Sequence, residues 1–245
     1  MQLDIALHHG PALIVNALGP PPEEMIKRAH GSGAKIAALA GTQAHAERHV
    51  EAGVDLVVAQ GSEAGGHTGD IGSMVLIPEI VDAVSPIPVL GAGGIGSGRQ
   101  MAAAMTLGAA GVWCGSIWLT TDEAETHPVV KQKMLSAKTT DTLRSRSLTG
   151  KPARMLKSAW TDEWDRKDTP DPLGMPLQPI LTGRAQEQIN SAAHQGGAGA
   201  QKLTTYFVGQ VVGSMNRRTS SSQVVLTMIE EFVESVENVA RQLET

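Results

Sequence analysis

The chain carries one cysteine, Cys114, in 245 residues, so no intrachain disulfide can form and nothing points to an oxidising compartment. Aromatic residues make up 3% of it, too few for the stacking platforms that bind bases or sugars. Basic residues are not in excess: 20 Lys and Arg against 25 Asp and Glu give a net charge of −5, which removes the electrostatic reason to expect nucleic acid or an anionic membrane as partner. No run approaches the roughly 20 apolar residues of a membrane helix, and the amino terminus shows no basic region ahead of an apolar core. A cytoplasmic protein is the expectation. What the chain does have is 41% apolar residues and 27 glycines, enough for a sizeable core in one or two domains.

Up to residue 122 short apolar runs alternate with helix-like segments. Five runs read as strands: Ala12 to Ala17, Lys35 to Leu39, Val54 to Val58, Ile87 to Leu90 and Gly111 to Cys114. They are nearly continuous in Val, Ile, Leu and Ala, as parallel strands covered on both faces should be. Between them, segments such as Pro21 to Ser32, Ala44 to Ala52 and Gly98 to Leu107 read as helices that stop at glycine. Consecutive β-α units of this kind point to an α/β barrel or an open doubly wound sheet. Residues 123–245 differ and are expected to form a mainly helical region. A helix is expected at Thr126 to Ala137, then a basic stretch with Arg144, Arg146, Lys151 and Arg154, a proline-rich connector at Asp168 to Pro176, and a helix over Ser221 to Leu243 whose apolar stripe packs on the fold.

Three successive strands end in glycine-bearing loops. The first is Ala59-Gln-Gly-Ser-Glu-Ala-Gly-Gly-His67, which sets one imidazole behind a flexible, side-chain-poor backbone; a histidine titrates near neutral pH and can serve as base or charge stabiliser. The second is Gly91-Ala-Gly-Gly-Ile-Gly96, and the third is Gly115-Ser116. Both can expose backbone N–H groups to a phosphate. The second loop also satisfies the dinucleotide pattern G-x-G-x-x-G. That form wants an acidic residue at the end of the next strand, where this chain has Gly115-Ser116, so a phosphate site shared by two neighbouring loops is the better reading. His45 and His49, four apart on a helix, read as a solvated face: Glu47 does not follow the first histidine directly as a zincin motif requires, and no metal site is expected. Cys114 reads as a core residue, and the basic segment as a solvated or structural face with an anion-holding role as the alternative.

The runs Val58-Ala-Gln-Gly-Ser-Glu-Ala-Gly-Gly-His-Thr-Gly69, Ile87-Pro-Val-Leu-Gly-Ala-Gly-Gly-Ile95 and Gly111-Val-Trp-Cys-Gly-Ser116 resemble the nitronate monooxygenase family, formerly the 2-nitropropane dioxygenases. Thr149-Gly-Lys-Pro-Ala-Arg154 and Val208-Gly-Gln-Val-Val-Gly213 agree with it in order. The resemblance implies an FMN enzyme on a TIM barrel. His67 is then the active-site base or charge stabiliser, Gly65 and Gly66 approach the cofactor, Gln60 faces the isoalloxazine, and Ala92, Gly93, Gly94, Gly115 and Ser116 cradle the phosphate. The implied reaction is oxidative denitrification of a nitronate with O2. FMN-dependent reductases of enoyl- or ring-derived CoA or carrier-protein thioesters share these loops and are the alternative; Thr140 to Ser147 resembles a stretch of relatives that act on CoA thioesters. The family barrel begins with three further strand–helix units, so residues 1–122 are expected to supply only its later five. A fragment of a longer protein, a homodimer or second chain completing the barrel, an open sheet of the five units, and a non-catalytic remnant holding a phosphate ligand are the readings this leaves.

Overall fold

The computed structural model describes residues 2–244. Its strands, in chain order, are β1 (Leu13–Asn16), β2 (Lys35–Ala40), β3 (Leu56–Gln60), β4 (Gly66–His67), β5 (Val89–Ala92), β6 (Gly111–Trp113), β7 (Thr142–Ser145) and β8 (Ala153–Leu156). The helices are α1 (Gln2–His8), α2 (Glu23–Gly31), α3 (Gln43–Ala52), α4 (Ser73–Val84), α5 (Gly98–Thr106), α6 (Pro128–Ser136), α7 (Ala159–Trp164), α8 (Leu177–His194), α9 (Ala198–Leu203) and α10 (Ser221–Leu243). The chain divides into two compact units. The first holds the residues up to Ser62, Gly69–Trp113 and those from Glu231 onward, and the second holds Glu63–Thr68 and Cys114–Glu230. Among the described residues no helix is long and apolar enough to cross a membrane.

The first unit is an α/β fold around one five-stranded parallel sheet in the order β1-β2-β3-β5-β6. Parallel neighbours need a crossover connection, and α2, α3, α4 and α5 supply the four that this sheet requires. The apolar runs expected to be covered on both faces are so in the central strands: Ile36, Ala37, Ala38, Val57, Val58 and Ala59 are fully buried. Leu76, Ile77 and Ile80 of α4, a helix the sequence reading passes over, are equally buried, and α4 lies against β3 and β5. Its neighbour α3 starts where Thr42 Oγ1 accepts the His45 N–H and stops at Gly53, whose φ of 98° is the left-handed turn expected there.

Two expectations fail in this part of the chain. His49 is not on a solvated face: it is 1% exposed, its Nε2 donates to the Leu39 carbonyl at 3.0 Å, and burial lowers its pKa. The helical phase it shares with Ala46 turns it inward, while His45 stays exposed. Nor does the stripe on α10 pack as a whole. Met228 is buried, but Val225, Ile229, Val236, Val239 and Leu243 are exposed.

The second unit contains α6, α7, α8, α9 and an antiparallel sheet in the order β4-β8-β7. The sequence reading expects no strands in the basic stretch. β7 and β8 pair as a hairpin and β8 pairs with the distant β4, while the guanidiniums of the stretch find acceptors within this unit. Arg146, for instance, donates to the carbonyls of Gly150 and Pro172, both at 3.0 Å. The proline-rich connector is irregular and ordered: buried Gln178 accepts the Leu173 N–H and donates to the Ser147 carbonyl, both at 2.9 Å.

Asp55 closes the amino-terminal side of β2 and β3. Burial alone would raise its pKa, but hydrogen bonds from Lys35 Nζ, the Ile36 N–H and His30 Nε2, all at 2.9 Å, outweigh this and hold it at about 2. A carboxylate with a depressed folded-state pKa contributes stability that is complete above its unfolded value near 4 and disappears as pH falls through 2. Asp55→Asn should therefore cost about 2 kcal/mol in urea denaturation at pH 7. The gap from wild type should narrow steadily below pH 4, and a gap that does not change between pH 7 and pH 3 would show that the ion cluster is not its source.

Candidate functional site

In the first unit the carboxyl ends of β2, β3 and β5 meet through bare backbone. Gln60, half-buried at the end of β3, is in register with Ala92 on β5, and the Gly61 N–H donates to the Ala92 carbonyl at 2.9 Å. Gly93 follows with φ 91° and Gly94 with φ 70°, both left-handed. A Cβ on Gly93 would stand 2.8 Å from the Gly61 carbonyl oxygen, and one on Gly69 would stand 2.6 Å from that of Gly41. Ser73 Oγ donates to the Gly93 carbonyl at 2.8 Å and steadies the loop from below. Among the described residues no protein acceptor takes the N–H groups of Gly93, Gly94 or Ile95. Consecutive N–H groups without a protein acceptor are able to donate to an anion.

In the second unit the expected flexible histidine loop is partly a strand. Gly66 pairs with Arg154 and His67 with Ala153, so the Gly-Lys-Pro-Ala-Arg segment is what fixes the histidine. His67 Nδ1 lies 3.2 Å from the Pro152 carbonyl. A carbonyl can only accept, so the proton sits on Nδ1 and Nε2 carries the lone pair. Phe207, missed in the sequence reading, sets its ring 6.5 Å from the imidazole, centroid to centroid, and is 36% exposed. Its position comes from a bridge to Met155. The signal for it was its place directly before the Val208-Gly209-Gln210 segment.

Gly65 and Gly209 explain each other. A Cβ on Gly65 would lie 2.7 Å from the Val208 carbonyl carbon and 2.8 Å from the Gly209 nitrogen, and one on Gly209 would lie 2.7 Å from the Glu63 carbonyl oxygen. The Gly209 N–H donates to Ser116 Oγ at 2.8 Å, which leaves the Ser116 hydroxyl proton available to another acceptor. Gly115 is different. Its φ of −118° suits any residue, and a Cβ there would meet nothing within 4 Å, so no protein neighbour demands a glycine. Cys114 beside it is half-buried, and burial pushes its thiol up to about 11, away from the thiolate form.

The nitronate monooxygenase family profile matches residues 1–231. The chain belongs to that family. A Mycobacterium tuberculosis protein named "Putative monooxygenase" is 65% identical over 96% of this chain and 62% of its own length, and a Bacillus subtilis "Probable nitronate monooxygenase" is 36% identical over 87% and 62%. The chain thus spans about three fifths of the length of the curated relatives it matches. Among solved structures, nitroalkane oxidase from Streptomyces ansochromogenes superposes with a TM-score of 0.85 at 29% identity, covering 97% of this chain and 69% of that one. FabK from Thermotoga maritima gives 0.79 at 27%, covering 98% and 74%.

Within this nitronate monooxygenase family member the glycines can be separated by substitution. Gly65→Ala should lose about 1–3 kcal/mol of stability through overpacking. Gly115→Ala should stay within about 0.5 kcal/mol of wild type. Melting and urea curves of the two proteins would check this, and equal losses would mean that Gly115 also has a packing duty.

Proposed function

We propose that the chain is part of an FMN-dependent oxidoreductase of the nitronate monooxygenase type, with residues 1–122 supplying β-α units of a TIM barrel and 123–245 a second, mainly helical region. The observation that carries the reading is Gly115, a glycine that no protein contact requires, next to a serine whose hydroxyl proton is available. Gly93 and Gly94 support it with their unsatisfied N–H groups. These residues suit a phosphate: backbone donors, one hydroxyl and no carboxylate. In this reading Ala92, Gly93, Gly94, Gly115 and Ser116 hold the FMN phosphate, Gly66 leaves space for the ring system and Gln60 faces it, and Gly65 contributes through packing. FMN, when bound, supplies the electron transfer that amino-acid side chains cannot.

What the chain itself does is bind, orient and handle charge. His67, with its Nδ1 proton engaged by Pro152, presents Nε2 to substrate. Neutral, it accepts a proton; protonated, it opposes the charge of an anionic nitronate. Phe207 gives that side of the site an apolar wall. A second reading, reduction of an enoyl thioester, rests on the glycine loops that the sequence shares with FMN-dependent enoyl-thioester reductases. Cytoplasmic location and a small-molecule substrate go with either.

Assays of the purified chain should show oxygen uptake and nitrite release with propyl-2-nitronate and no requirement for NADH. His67→Ala should retain flavin and lose turnover by at least about 100-fold, while Gly115→Ala should stay folded and lose flavin. NADH oxidation that depends on an enoyl-CoA ester, without nitronate turnover, would replace the first reading by the second. Turnover unchanged in His67→Ala would remove His67 from catalysis.

A further inference from the structure

We propose that Arg144 is the positioning residue for His67, holding the imidazole in its Nδ1–H tautomer by gripping the peptide that follows it. The inference rests on the reading of His67 as the active-site base.

Arg144 lies on β7, which is not hydrogen-bonded to β4, because β8 stands between them. Across one rung of the sheet Arg144 is in register with Arg154, and Arg154 with Gly66. Two strand spacings, roughly 9.5 Å, therefore separate the backbones of Arg144 and Gly66. Arg144 nevertheless crosses β8 and donates from Nη2 to the carbonyl of Thr68 at 3.1 Å. Thr68 directly follows His67.

This arrangement is costly. Like charges on neighbouring strands repel, and Arg154, 9% exposed, is disfavoured as a cation first by burial and then by Arg144, with Glu63 offsetting part of this. A shorter or neutral residue at 144 would avoid the repulsion and lose the reach to Thr68.

His67 needs that grip because β4 ends with it. The ladder to β8 anchors the chain at Gly66 and His67 only, and Arg144 holds the outgoing peptide. The ring's own anchor, the 3.2 Å contact with Pro152, is at the long end for an N–H···O hydrogen bond and is the first to go if the peptide shifts. Lysine is no substitute, since its single ammonium sits on a shorter reach and lacks the guanidinium fork.

The tautomer is read directly by 15N NMR of the imidazole in the purified chain, with no substrate or cofactor needed. Wild type should show His67 mainly protonated at Nδ1. Arg144→Gln should bring the Nδ1–H share below half, as in a histidine side chain in water, and lower kcat on nitronate about tenfold or more with little change in KM. Arg144→Lys, which keeps the charge and serves if the Gln variant fails to fold, should show the same tautomer change. An unchanged tautomer and pH titration of His67 in either folded variant would overturn the proposal. A chain that shifts tautomer but never turns over a nitronate would fault the functional reading and leave the role of Arg144 intact.

Discussion

Backbone meeting backbone at a distance no Cβ would allow is the constraint on which both units depend. Gly93 against Gly61 and Gly69 against Gly41 close the strand ends of the first unit, and Gly65 against Val208 and Gly209 closes the histidine segment of the second. At each contact a methyl group would stand under 3 Å from its neighbour, so the loops can be this near only because the side chains are absent. The result is a set of tight turns, one of which, at Gly93, Gly94 and Ile95, leaves its N–H groups without a protein acceptor among the described residues. Rigidity matters here because a phosphate held by preorganised donors requires no ordering of the loop at the moment of binding.

A second layer of order comes from the β7–β8 hairpin. Pro152, Ala153 and Arg154 each act on Gly66 or His67, through the carbonyl on Nδ1, the ladder pairing and the register with Gly66. The Gly-Lys-Pro-Ala-Arg segment therefore has a physical task that its composition does not suggest, since it holds a histidine eighty-odd residues away in the chain. The hairpin is held in turn by α8, whose inward positions Gln178 and Thr182 bond the Ser147 and Leu148 carbonyls, while Leu177, Ile180 and Leu181 are exposed.

The parallel sheet was legible in the sequence because burial on both faces leaves a continuous apolar run, and each of the five runs overlaps a strand in the structure. Helix α4 escaped for a related reason: Ser73–Val84 is apolar nearly all round and carries Pro78, so it shows no polar face to reveal a helical period. Strands β4, β7 and β8 escaped because they are two to four residues long, and β4 owes its existence to a partner far along the chain. The glycine loops and His67 could be found from their place after buried strands. Pro152 and Arg144 could not, since their relevance to His67 arises only when the hairpin folds beside it, and Phe207 had only its place before the Val208-Gly209-Gln210 segment to mark it. His49 shows the opposite error, a polar residue type read as solvated although its helical phase turns it inward.

The central claim is that these glycine turns hold a phosphate. Titration of the purified chain with FMN and, separately, with riboflavin, followed by flavin absorbance and fluorescence, tests it most directly. The account predicts a saturable complex with FMN and binding of riboflavin weaker by about 100-fold or more, the loss expected when several charge-assisted hydrogen bonds go unmade. Equal affinity for the two flavins, or binding of neither, would contradict it.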